Sequence, residues 1–137
     1  PWAKHKMLLR ESFMSLVPKT ALPLTRKGYL ELRHVVLATG EPEINPVDAL
    51  LDKDRRQIAC RAQSFTTAID IACAAHWAFN VPERLIRHVP LPEHMCLIKP
   101  VITVPEFEVG MYWHIQTDKD PGLRWLRSCI AGVAESV

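Results

Sequence analysis

The stretch WHIQTDKDPGLRWLRS, residues 113–128, decides how the chain is read, because it holds a strand end, a polar turn and a helix start in sixteen residues. Asp120 is a strong N-cap: its carboxylate can accept from an amide of the first helical turn that has no partner within the helix. Pro121 follows at the first helical position, where a missing N–H costs nothing. Leu123, Leu126, Ile130 and Val133 then recur at three- and four-residue spacing, which predicts a helix to the chain end that docks through this stripe. Before the turn, Phe107, Val109, Met111 and Trp113 alternate with Glu106, Glu108, Tyr112 and His114, the period-two pattern of a strand with one buried face. The C-terminal third therefore reads strand, turn, helix.

Working outward, the same two periods alternate along the chain. Residues 11–17 read as a short strand ending at Pro18, followed by a connector with a helical turn from about Thr25. His34 to Thr39, HVVLAT, is apolar enough for a central strand covered on both faces. Asn45-Pro46 repeats the cap-plus-proline start for a short helix with Val47, Leu50 and Leu51 inward, stopping near Asp54. Gln57 to Ala62 is a strand, and Ser64 caps a helix from Phe65 to about His76 whose Ala68, Ile71, Ala72 and Ala75 permit close packing on a sheet. Phe79 to Val81 is a strand. Pro82 opens a helix with Leu85, Ile86 and Val89 inward, Pro90 and Pro92 end it, and MCLIKP returns as a strand. This alternation predicts an α/β domain with a largely parallel sheet and helices on its faces.

Composition narrows the function classes. The 137 residues carry 48% hydrophobic and 23% charged side chains, ordinary for a globular domain. Seventeen basic and fifteen acidic residues give a net charge of +2 and, apart from Lys53, Arg55 and Arg56, are interspersed, so no basic stripe is available to a nucleic-acid backbone. No apolar run approaches the roughly 20 residues of a membrane span, and PWAKHK lacks a signal core, so the expectation is a cytoplasmic protein with no membrane partner. Cys60, Cys73, Cys96 and Cys129 are widely spaced, lack a CxxC pair and read as buried free thiols.

No catalytic or metal signature is present in the sequence: there is no HExxH, GxSxG, P-loop or GxGxxG. The expectation is a non-enzyme with no catalytic residues, no metal and no cofactor. His88 and His94 read as solvated, and His114 as a hydrogen-bonded strand-end residue. Asp118 and Asp120 read as helix-start acids, and Arg124 and Arg127 as partners for Trp125 or for acids. His34 and the Ser64-Phe65-Thr66 junction stand apart. Both belong at sheet ends in an open α/β fold, where a helix N-terminus favours anions.

The residues also carry a family resemblance. Trp113, His114, Asp118, Asp120, Pro121, Arg124, Trp125, Leu126 and Arg127 resemble the C-terminal signature of the effector-binding domain of LysR-type transcriptional regulators. LELRHVVLAT around His34, VDALL at 47–51, Ser64-Phe65 before a helix, and VPERL at 81–85 recur in the family's order, so the resemblance covers nearly the whole chain. It is strongest to nodulation regulators and regulators of aromatic-acid response. Gln116 stands where an arginine is usual, Gln63 replaces a common proline, and Trp77 fills a position that is often leucine.

The resemblance implies a periplasmic-binding-protein-like (type 2) effector domain, mostly lobe two plus the returning strand and helix of lobe one. It divides the chain into 1–21, the last strand of lobe one and crossover; 22–100, lobe two; and 101–137, the crossover back and C-terminal strand-helix of lobe one. It further implies a small-molecule effector, such as an aromatic carboxylate, bound between lobes by His34, Ser64, Phe65 and Thr66. A homo-oligomer would report the effector to DNA through an N-terminal helix-turn-helix absent from this chain. The rival expectation is a stand-alone small-molecule binding module, or a truncated interaction partner of a full-length regulator.

Overall fold

The computed structural model describes residues 2–38, 47, 50 and 55–137. The chain forms two compact units: residues 12–105, and residues 1–11 together with 106–137. The segment grouped above as 1–21 thus contributes to both.

In the larger unit the described elements are β2 (Phe13–Pro18), a 3-10 turn at Lys19–Ala21, α1 (Arg26–Glu31), β3 (Arg33–Leu37), β4 (Gln57–Ala62), α2 (Phe65–Ala75), β5 (Ala78–Pro82), α3 (Glu83–Ile86) and β6 (Met95–Ile98). They follow β1 (Ala3–Glu11), which belongs to the smaller unit. The sheet order is β4-β3-β5-β2-β6. β3 is parallel to β4 and β5, whereas β2 is antiparallel to β5 and β6. The largely parallel sheet expected from alternation is therefore mixed. The run 11–17 enters the sheet between two later strands, and neither neighbour is joined to it by a helical crossover, so nothing requires it to run parallel.

The elements form where local chemistry favours them. Thr25 caps α1 by accepting from the Gly28 amide at 3.1 Å, and Ser64 caps α2 by accepting from the Thr67 amide at 3.2 Å. His76 closes α2 in the left-handed region at φ 59°, with its amide on the Ala72 carbonyl. The expected apolar face of α2 is present with one addition: Ile69 is buried beside Ala68 and Ala72. These side chains join Leu16, Val35, Phe79, Val81, Ile86 and Met95 in the main core. Leu85, expected inward, is exposed, while Trp77 and Val89 pack against that core. A second cluster holds Tyr29, Val47 and Ile102. The helix expected from Asn45-Pro46 to Asp54 lies outside the described residues apart from Val47 and Leu50.

The smaller unit contains β1, β7 (Phe107–His114), a 3-10 turn at Ile115–Thr117 and α4 (Pro121–Ser136). β1 and β7 are antiparallel from Ala3↔His114 to Glu11↔Phe107, with a bulge between Met7 and Leu9. Asp120 caps α4 as its position predicts, accepting from the Leu123 amide at 2.8 Å. The stripe expected to dock does not. Leu123, Leu126, Ile130 and Val133 are 39%, 46%, 39% and 63% exposed, and the buried residue of α4 is Ala131. A helix of 3.6 residues per turn carries Arg127, Ala131 and Ala134 on one face, about a quarter turn round from the larger apolar side chains.

Candidate functional site

The candidate residues occupy different levels of the larger sheet. β4 ends at Ala62, level with Leu37 of β3, and the Ala38 amide bonds the Ala62 carbonyl at 2.7 Å. Ser64, Phe65 and Thr66 follow immediately, so the carboxyl end of these parallel strands meets the start of α2. Chain order reverses at β3: β4 lies on one side and the next strand, β5, on the other. That is where an open α/β sheet leaves a crevice.

At this edge Ser64 spends its oxygen on the cap, and its hydroxyl donates to Thr67 Oγ1 at 2.9 Å. Phe65 is half-buried against the core, its ring 6.4 Å from that of Phe79. Thr66 is exposed in the first turn, where backbone amides lack intrahelical partners. The three therefore supply a fixed turn, an apolar wall and a free-facing hydroxyl.

His34 sits elsewhere. It is level with Ile58 and Ala78, three residues before Leu37, which at about 3.3 Å per residue is roughly 10 Å from the Ser64 end. It is fully buried. Its Nε2 donates to the Tyr29 carbonyl at 2.8 Å, and its ring meets that of Tyr29 edge-on at 4.6 Å. Tyr29 in turn accepts from Asn80 Nδ2 at 2.8 Å, and Asn80 Oδ1 accepts from Ser15 at 2.6 Å. The chain His34–Tyr29–Asn80–Ser15 ties α1 to β3, β5 and β2. The structure brings Ser64, Phe65 and Thr66 together and sets His34 in the core behind them.

The signature at 113–127 is a tie within the smaller unit. Trp113 Nε1 donates to Asp118 Oδ1 at 2.9 Å, and Lys4 Nζ to Asp118 Oδ2 at 2.6 Å. The Lys4 hydrogen bond, then that from Trp113, holds the Asp118 carboxyl below the usual carboxylate range. Arg127 donates to the Asp118 carbonyl at 2.8 Å, and its guanidinium carbon lies 4.9 Å from the Trp113 ring centroid. The partner of Arg127 is thus Trp113, not Trp125, which is 70% exposed. His114 is a strand-end hydrogen-bonding residue as its context predicts: Nδ1 accepts from the Gln116 amide at 3.2 Å.

His94 is exposed, as expected, and also stacks on His76 at 4.1 Å and donates from Nε2 to the Cys73 carbonyl at 2.8 Å. The four cysteines are free thiols. Cys60, Cys73 and Cys96 are half-buried, while Cys129, on the outer side of α4, is exposed rather than buried. Burial, with the Asp70 carboxylate second, raises the Cys73 thiol above its usual value. No group of three or more metal-ligating side chains occurs among the described residues. No described helix is long and apolar enough to cross a membrane.

With this geometry in place, known proteins give it context. No family model matches the chain. It is 30% identical over 140 residues to the HTH-type transcriptional regulator SyrM of Rhizobium meliloti, covering 96% of this chain and 43% of SyrM. It is 34% identical over 137 residues to the HTH-type transcriptional regulator LinR of Sphingobium indicum, covering 93% and 44%. The regulatory domain of MexT, a transcriptional activator in Pseudomonas aeruginosa, superposes with a TM-score of 0.72 at 22% identity over 95% of this chain and 65% of that one. CbnR, a LysR family transcriptional regulator, gives 0.71 at 13% identity, covering 98% and 48%. The present chain has the fold of a LysR-type regulatory domain. The effector-binding domain of QuiR, solved in complex with shikimate, gives 0.71 at 10% identity, covering 99% and 67%. The chain spans less than half the length of SyrM and LinR, and about two thirds of the MexT and QuiR regulatory-domain structures. The resemblance to LysR-type regulators seen in the 113–127 signature is thereby matched in the fold.

Proposed function

We propose that the chain is the ligand-sensing region of a LysR-type, DNA-binding transcriptional regulator, with the larger unit as lobe two and the smaller as the returning part of lobe one. The observation that carries this is the start of α2 at the carboxyl ends of parallel strands, in a fold shared with an effector-binding domain solved with shikimate. In this reading Ser64, Phe65 and Thr66 form the effector contact. The first-turn amides and the Thr66 hydroxyl receive a small carboxylate, an aromatic acid among them, and Phe65 walls its apolar side. His34 supports the site from the core by fixing β3 to α1. The function is non-catalytic: the effector shifts a cytoplasmic homo-oligomer between two arrangements in proportion to its differential affinity, and the DNA-binding part reports the shift.

Calorimetric titration of the chain with salicylate and with shikimate tests this reading. Thr66→Ala removes an exposed hydroxyl without disturbing the cap, and is expected to weaken the bound acid at least about tenfold, as loss of a hydrogen bond to a charged group does. His34→Ala is expected to lower the melting temperature more than the affinity per folded molecule. Unchanged affinity in Thr66→Ala would remove the α2 edge from the proposal.

A further inference from the structure

The smaller unit contains a concavity of about 410 Å³ whose lining includes Lys6, Lys119, Arg124 and Arg127. Among the described residues four cations thus border one hollow, and the single acid there, Asp118, already receives Lys4 and the Trp113 indole. Lys6, Lys119 and Arg124 make no ion pair among the described residues. Like charges converging on a concave surface repel one another, and an anion in the hollow relieves that repulsion.

The positions of the cations are set by independent elements. Lys6 comes from β1, opposite Met111 of β7. Lys119 comes from the turn. Arg124 and Arg127 lie one turn apart on α4. Arg127 is preset, because the Thr117 and Asp118 carbonyls and the Trp113 ring hold its guanidinium before any ligand arrives.

We propose that this pocket is an anion site for a small phosphate monoester, separate from the effector contact at the α2 edge. Guanidinium forks match phosphate oxygens, two lysines add compact charge, and the volume lies within the ~300–1,000 Å³ of small-ligand sites. The cations surround a hollow instead of forming a stripe, which favours a compact anion over a nucleic-acid backbone.

The test is calorimetric titration of the 137-residue chain with glycerol 3-phosphate at low salt, alongside a short DNA duplex. The wild-type chain is expected to bind the monoester. The double variant Lys119→Gln/Arg124→Gln is expected to bind it at least tenfold more weakly with an unchanged melting temperature, since both side chains are exposed and outside the Trp113–Asp118–Arg127 tie. Lys6→Gln, on the opposite wall, is expected to weaken binding as well. Absence of binding to the wild-type chain, or equal affinity in the double variant, overturns the proposal. So does a duplex that binds more tightly than the monoester and loses affinity in the same variant, because the surface would then be a nucleic-acid contact.

Discussion

The two units contain the same strand pairing but are held together differently. In each, the strand by which the chain leaves pairs antiparallel with the strand by which it enters: β6 with β2 in the larger unit, β1 with β7 in the smaller. In the larger unit β2 pairs on its other edge with β5, and Leu16 and Val17 on β2 are fully buried. In the smaller, β7 has no second ladder among the described residues, and apolar side chains from Met7 to Val133 stand exposed. The larger unit is therefore stabilised by apolar burial. The smaller relies on a polar tie around Asp118, which sets geometry but contributes little through exposed charges.

The largest expected effect breaks this contrast from the apolar side. Leu16→Ala leaves a cavity among Val35, Phe79 and Val81 and is expected to cost about 3 kcal/mol, measured by urea denaturation. A loss below about 1 kcal/mol would mean that the larger core is loosely packed. Ser64→Ala comes next: removing the cap of α2 is expected to cost about 1 kcal/mol by the same measurement, with Ser64→Gly milder.

The smallest effect is local and pH-dependent. The carboxyl of Asp118 is depressed in the folded state, so its contribution is fully present above the ordinary carboxylate value of about 3.9 and is lost as pH falls through the lower folded value. The Trp113 indole N–H resonance is expected to follow that titration, and Asp118→Asn to abolish the dependence. Glu83 in the larger unit is lowered in the same direction, first by the Arg87 hydrogen bond and then by Ser12, so the indole resonance separates the smaller unit from it.

Which parts of the fold were legible follows from how local their causes are. Ser64 and Asp120 announce their helices because a cap acts across three residues. The 57–62 strand is legible from its β-prone run and flanking breaks. β1 is not, because AKHKMLLRE mixes charges onto both faces, and its partners lie about a hundred residues away. Asp118 was legible as a helix-start acid, but its partner Lys4 is 114 positions distant and becomes a neighbour only through the Ala3↔His114 register. The same distance hides Lys6 from Arg124. At the effector edge, Ser64, Phe65 and Thr66 are adjacent in sequence and stay adjacent in space. His34 shares only the property of lying near a strand end, and the parallel register of β3 and β4 determines which end.

The most direct test of the central claim is an amide NMR titration of the chain with salicylate and shikimate. Larger shifts are expected at residues 64–67 and at the carboxyl ends of β3 and β5 than at 3–11 and 107–136. Shifts confined to the latter segments, with 64–67 unchanged, would contradict the claim.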